Sequence, residues 1–153
     1  MQLPGTVSDF LSQKRIAVIG VSRNPGEAAN LIYRKLREQG YQVFPVNPRA
    51  QEVEGDRCYP DVESLPGSIA GAVVLTPPGE AASVVRSCAE KGVSRVWLHR
   101  SLGSGSVSEE AVRVGKELGI TVIAGGCPMM FLKPVDFGHR CMRWLLGWHR
   151  RLR

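Results

Sequence analysis

Hydrophobic positions along this chain follow two alternating patterns. Short uninterrupted apolar runs, rich in β-branched residues, are separated by stretches in which apolar residues recur every three or four positions. Runs of the first kind are too short for helices and suit strands covered on both faces, while the second kind suits the crossover helices that join parallel strands. Five strands are predicted, over Arg15 to Ile19, Gln42 to Val46, Ala72 to Leu75, Arg95 to Leu98 and Thr121 to Ala124.

The first helix is predicted from Pro25 to Gln39, with Ala28, Leu31, Ile32 and Leu36 on one face and Gly40 closing it. Asn24 suits its N-cap, Pro25 its first position and Glu27 a capping-box acid. A second helix carries Ala81, Val84, Val85 and Cys88 and stops at Gly92. A third begins after Ser106, with Glu109 three residues on, presents Val107, Ala111, Val114 and Leu118, and stops at Gly119. Residues 49–67 read as a loop with one short helical or extended piece near Asp61 to Leu65. After the fifth strand come Gly125-Gly126-Cys127-Pro128 and then a final helix, in which Cys141, Trp144, Leu145, Trp148 and Leu152 form a packing stripe with the arginines facing away.

A length of 153 residues fits one domain. Residues 1–136 are expected to form it, with residues 137–153 an amphipathic basic helix packed on the domain or on a partner, a homodimer included. No stretch reaches the roughly 18 apolar residues of a membrane span. The opening residues lack the pattern of a secretion signal. Cys58, Cys88, Cys127 and Cys141 are widely spaced and have no companion histidines at zinc spacing, so a reduced, cytoplasmic, metal-free protein without membrane partners is expected. The net charge of +6 is concentrated in Arg140, Arg143, Arg150, Arg151 and Arg153. Such a tail suits an anionic surface, but no basic stripe interleaved with aromatics marks the domain as a nucleic-acid binder.

Every chemically suggestive loop follows the carboxyl end of a predicted strand. Gly20-Val21-Ser22-Arg23-Asn24-Pro25-Gly26 turns from the first strand into a helix start, where main-chain N–H groups and the positive helix end suit a phosphate. Ser22 replaces the second glycine of a dinucleotide fingerprint, and Glu27 is an awkward neighbour for phosphate. The second strand ends in Asn47-Pro48-Arg49, with no acid for the ribose of NAD; an arginine there favours a phosphorylated ribose, as in NADP or coenzyme A (CoA). Thr76-Pro77-Pro78 offers a rigid wall for a flat adenine, although a plain turn remains the alternative. His99 has no assignable catalytic partner and reads as a loop hydrogen-bonding residue. Cys127 is expected to face the crevice, either as a thiol able to pair with a ligand thiol or as an inert, partly buried residue.

Together, Gly20-Val21-Ser22-Arg23-Asn24-Pro25, the run from Gly40-Tyr41 through Val43 and Pro45-Val46-Asn47-Pro48, then Gly55, Cys58-Tyr59-Pro60 and Thr76-Pro77-Pro78 resemble the small stand-alone CoA-binding domain proteins, themselves similar to the CoA-binding domain of succinyl-CoA ligases. The resemblance covers about Phe10 to Cys127. It implies that Gly20, Ser22 and Arg23 hold phosphates, that Asn47, Pro48 and Arg49 lie by the ribose, and that Thr76 to Pro78 border the adenine. Common members end in an Asp-Arg-Cys type motif where this chain has Gly125 to Phe131. The expected fold is one three-layer Rossmann-like α/β domain with a five-stranded parallel sheet ordered 3-2-1-4-5 and helices on both faces. No ligase phosphohistidine region or ATP-grasp domain is recognisable, so the expected function is non-catalytic binding of CoA or acyl-CoA, for sensing, storage or thiol protection. The alternatives are an NADP-linked oxidoreductase or accessory subunit, and an interaction module using the Trp144/Trp148 helix.

Overall fold

A computed structural model describes residues 4–101, 105–133 and 137–145. In chain order the elements are α1 (Gly5–Leu11), β1 (Arg15–Ile19), α2 (Ala28–Glu38), β2 (Gln42–Val46), β3 (Glu52–Val53), β4 (Asp56–Arg57), β5 (Gly71–Val74), α3 (Pro78–Lys91), β6 (Arg95–Leu98), α4 (Glu109–Glu117), β7 (Thr121–Ala124), a 3-10 turn (Pro128–Met130) and α5 (Phe137–Leu145). Side-chain alternation along the strands builds two cores, one on each face of the sheet. Ile16, Val18, Val73 and Trp97 face α1, α2 and the 3-10 turn, while Ala17, Ile19, Val74, Val96 and Leu98 face α3 and α4. The three central strands β1, β5 and β6 are buried almost throughout and have no use for polar alternation, which is why they read as continuous apolar runs.

The predicted class, a single parallel sheet between two helical layers, is the observed one, but the strand order differs. The five strands run β2-β1-β5-β6-β7, so the third predicted strand pairs with the first rather than lying outside the second. Pro45 supplies the physical reason. Its carbonyl accepts from the Tyr59 amide on the outer side of β2, so its missing N–H also faces outward, where an interior strand would need a donor. That edge is capped by the single bridge from Val46 to Tyr59.

Local departures from expectation have local causes. Helix α2 starts three residues later than predicted, because the Asn24 carboxamide accepts from the Gly26 amide in a turn of its own and leaves Glu27 at the N-cap position. Ser108, not Ser106, caps α4, its hydroxyl accepting from the Ala111 amide at 3.0 Å. Helix α1 was not anticipated; its Phe10 meets Trp97 edge-on at 5.4 Å, in space that exists because residue 71 is glycine. Residues 49–67 contain the small antiparallel hairpin β3–β4, turned by Glu54 (φ 53°) and Gly55 (φ 79°). Within 61–65 the backbone makes turns, with the Ser64 amide donating to the Asp61 carboxylate.

Helix α5 reverses its predicted orientation. Met142 packs against the core and the Arg143 guanidinium lies 5.0 Å from the Phe131 ring centre, whereas Trp144 and Leu145 are 74% and 73% exposed. Trp148, Leu152 and the last three arginines lie outside the described residues, as do Leu102 to Ser104 in the His99 loop and the predicted boundary at 136.

Ser108→Ala removes the α4 cap and should lower unfolding free energy by about 1 kcal/mol, read from a shift in the urea midpoint at unchanged slope.

Candidate functional site

Strands β1 and β5 are adjacent, yet the helices that follow them leave toward opposite faces of the sheet, α2 into one core and α3 into the other. The divergence opens a crevice at their carboxyl ends. Gly20 forms its floor: its amide donates to the Val46 carbonyl, its φ is +105°, and a Cβ there would stand 2.8 Å from the Leu75 carbonyl oxygen. Only glycine lets the two strand ends approach this closely.

Two clefts meet at Gly20, Leu75, Thr76 and Pro77. The larger, about 540 Å³, runs between the end of β2 and the start of α3 and is bordered by Asn47, Pro48 and Arg49 on one side and by Glu80, Ser83 and Ser87 on the other. The smaller, about 330 Å³, extends the other way, past Ser22, Glu27, Ala28 and Ala29 to His99, Gly105 and Ser106. The Ser106 hydroxyl donates to the Thr76 carbonyl and its amide to the His99 carbonyl, so the loops after β5 and β6 are clasped together. On the shared wall the Thr76 hydroxyl is buried and has no hydrogen-bond partner among the described residues.

The loop after β1 is braced from below. The Ser22 amide donates to the Asn30 carboxamide oxygen at 2.9 Å, and the Asn30 amide group donates back to the Ser22 carbonyl and to Glu54. Glu54 also receives Arg34 at 2.7 Å, which ties the hairpin tip to α2. Beside it, Tyr33 and Arg37 both donate to Asp56, holding that carboxyl below its usual range, chiefly through the tyrosine hydrogen bond. Asn47 joins the two neighbouring strand ends by donating to the Val21 carbonyl at 2.7 Å. The amides of Ser22, Asn24 and Gly26 are therefore already engaged. Those of Ala28 and Ala29, in the first turn of α2, have no acceptor among the described residues and stand at the edge of the smaller cleft.

Of the residues singled out in the sequence, Gly20, Ser22, Asn47, Pro48, Arg49, Thr76 and Pro77 line one cleft or both. Val21 is buried, Arg23 and Asn24 are exposed, and Pro78 begins α3; none of these four lines either cleft. Cys127 does not face the crevice. It is 3% exposed, belongs to the core beneath α2, and its amide donates to the Met130 sulfur, because the two glycines before it, both at positive φ, fold the chain back under the sheet. The thiols of Cys58 and Cys88 are raised by burial, that of Cys88 to about 12, so neither is a ready nucleophile. Sequence reasoning missed Ser83 and Ser87, whose four-residue spacing opposite the apolar stripe of α3 was the available signal, and it missed Ser106, whose role depends on a contact thirty residues away.

His99 is 7% exposed on the wall of the smaller cleft, and burial, assisted by His139, pushes its pKa down to about 4. It is a neutral imidazole at pH 7. No cluster of three or more metal-ligating side chains occurs among the described residues.

The fold and site define a doubly wound α/β protein with a nucleotide-sized crevice at its switch point. Residues 14–133 match the CoA binding domain family, and the chain belongs to that family. It is 34% identical over 126 residues to the alpha subunit of an ADP-forming acetate–CoA ligase II of Pyrococcus furiosus, an alignment covering 77% of this chain and 27% of the relative. The chain thus spans about a quarter of that relative's length. An uncharacterised protein of Bacillus subtilis, YneT, is 30% identical over 74% of this chain and 82% of its own length. A hypothetical protein of Pyrococcus horikoshii superposes with a TM-score of 0.75 at 30% identity, covering 84% of this chain and 93% of that one.

A neutral buried histidine binds fewer protons in the folded chain than in the unfolded one between about pH 4 and 6.5. Stability should therefore rise with pH through that window and level off above it. Because Asp56 acts in the same direction at lower pH, the measurement is the difference between the native chain and His99→Gln in urea unfolding. The native chain should lose on the order of 2–3 kcal/mol more than the variant between pH 7 and pH 4.5.

Proposed function

We propose that this chain binds CoA or an acyl-CoA across the two clefts and performs no chemistry of its own, serving to sense, store or protect the thiol. The observation that carries the reading is the junction of the two clefts at Gly20, Leu75, Thr76 and Pro77, on the carboxyl rim of the sheet where doubly wound folds seat nucleotides. The donor set fits the group. Phosphates are taken by the first-turn amides of α2 and by the Ser22 hydroxyl, which accepts from Asn24 and keeps its own proton to donate, and Arg49, at the mouth of the larger cleft, supplies the positive charge a phosphorylated ribose needs. Asn47 and Pro48 border the ribose, and Thr76 and Pro77 the adenine, with Pro78 fixing that wall as the first residue of α3.

Glu27 borders the smaller cleft and repels negative charge, so it weakens phosphate binding at the helix start. Arg23 and Asn24 shape the loop rather than touch the ligand, and a buried Cys127 takes no part. The kinship with an acetate–CoA ligase subunit supports CoA as the ligand class.

Titration calorimetry with CoA, dephospho-CoA, NADP and NAD tests the reading. CoA should bind with a dissociation constant below millimolar, and dephospho-CoA about tenfold more weakly through loss of the Arg49 contact. Ser22→Glu should abolish binding while leaving the melting temperature nearly unchanged. Tight NADP binding with none of CoA, joined to measurable hydride transfer, would instead establish the oxidoreductase alternative.

A further inference from the structure

Helix α5 is mounted with its apolar face outward. Its inner side is held by Met142 against the core and by Arg143, stacked on Phe131 and donating to the Met130 carbonyl. Trp144 and Leu145 point away, three-quarters exposed, with Arg140 exposed at their flank. On a helical projection Cys141, Trp144 and Leu145 fall within about 100° of arc. The following sequence continues in the same composition, adding Trp148 and Leu152 and three more arginines, Arg150, Arg151 and Arg153. The last fourteen residues carry five arginines and no acid.

We propose that this segment lies on an anionic lipid surface, its tryptophans and leucines in the headgroup region and its arginines against the phosphates. A stripe of Trp and Leu flanked by arginine is the composition of an interfacial helix, and tryptophan concentrates at that depth because its ring is apolar while its N–H remains hydrogen-bonded. Charge decides against a second copy of the chain as the occupant. Two such stripes face to face would crowd the arginines of both segments together with no acid in either to pair them. No described helix is long and apolar enough to cross a bilayer, so attachment is peripheral. This adds a lipid partner where the sequence reading expected none, and it is independent of what fills the crevice.

The test is co-sedimentation of the full chain with vesicles of pure phosphatidylcholine and with vesicles of equal phosphatidylcholine and phosphatidylglycerol, together with tryptophan emission. Trp97 is fully buried, so an emission shift reports on Trp144 and Trp148. The chain should partition onto the anionic vesicles at least about tenfold better than onto the neutral ones, with a blue shift, and added salt should weaken it. Trp144→Asp and Leu145→Asp, both at exposed positions, should each lower that partition by about tenfold without changing CoA titration or melting temperature. Absence of binding, or equal binding to both vesicles, overturns the proposal. So does a dimer in sedimentation velocity that Trp144→Asp dissolves while vesicles bind nothing, which would make the face a contact between copies.

Discussion

The structure depends on how closely the ends of β1 and β5 approach. At Gly20 the chain must turn at positive φ, where a Cβ would stand 2.8 Å from the Leu75 carbonyl oxygen, and from that point α2 and α3 part to opposite faces of the sheet. A side chain here would push the strand ends apart or rotate the turn, and both clefts share this floor. The crevice is thus a property of main-chain geometry first and of side-chain chemistry second.

That geometry is secured from three directions. Asn47 reaches across from β2 to the Val21 carbonyl, Asn30 grips Ser22 from α2, and Ser106 pins the Thr76 carbonyl from the loop after β6. The hairpin takes part through Glu54, which binds Asn30 and Arg34 together. Glu54 has a left-handed backbone conformation that is uncommon for a side-chain-bearing residue. Its pairing with two α2 residues is the compensation for that conformation.

The strands were legible because burial on both faces leaves an uninterrupted apolar signal, and the close of α3 was legible because Gly92 takes the left-handed conformation expected of a helix end. Strand order was less accessible, although Pro45 held a clue: a residue without an N–H belongs on an outer strand, which a 3-2-1-4-5 arrangement denies it. The hairpin was hidden because Glu54-Gly55 is not among the usual turn pairs. Most rim residues were foreseeable from their place after strands. Cys127 was not, since the paired glycines before it redirect the chain in a way that only three-dimensional packing determines. The outward face of α5 was equally hidden, because periodicity reveals that a stripe exists and not which side of the helix meets the domain.

The Asn30 clasp has a further consequence. Since a side chain already occupies the Ser22 amide and a turn of its own occupies Asn24, the loop is held in one shape before anything arrives. A ligand of the crevice would meet a loop already ordered, and its binding would cost little further ordering of the protein.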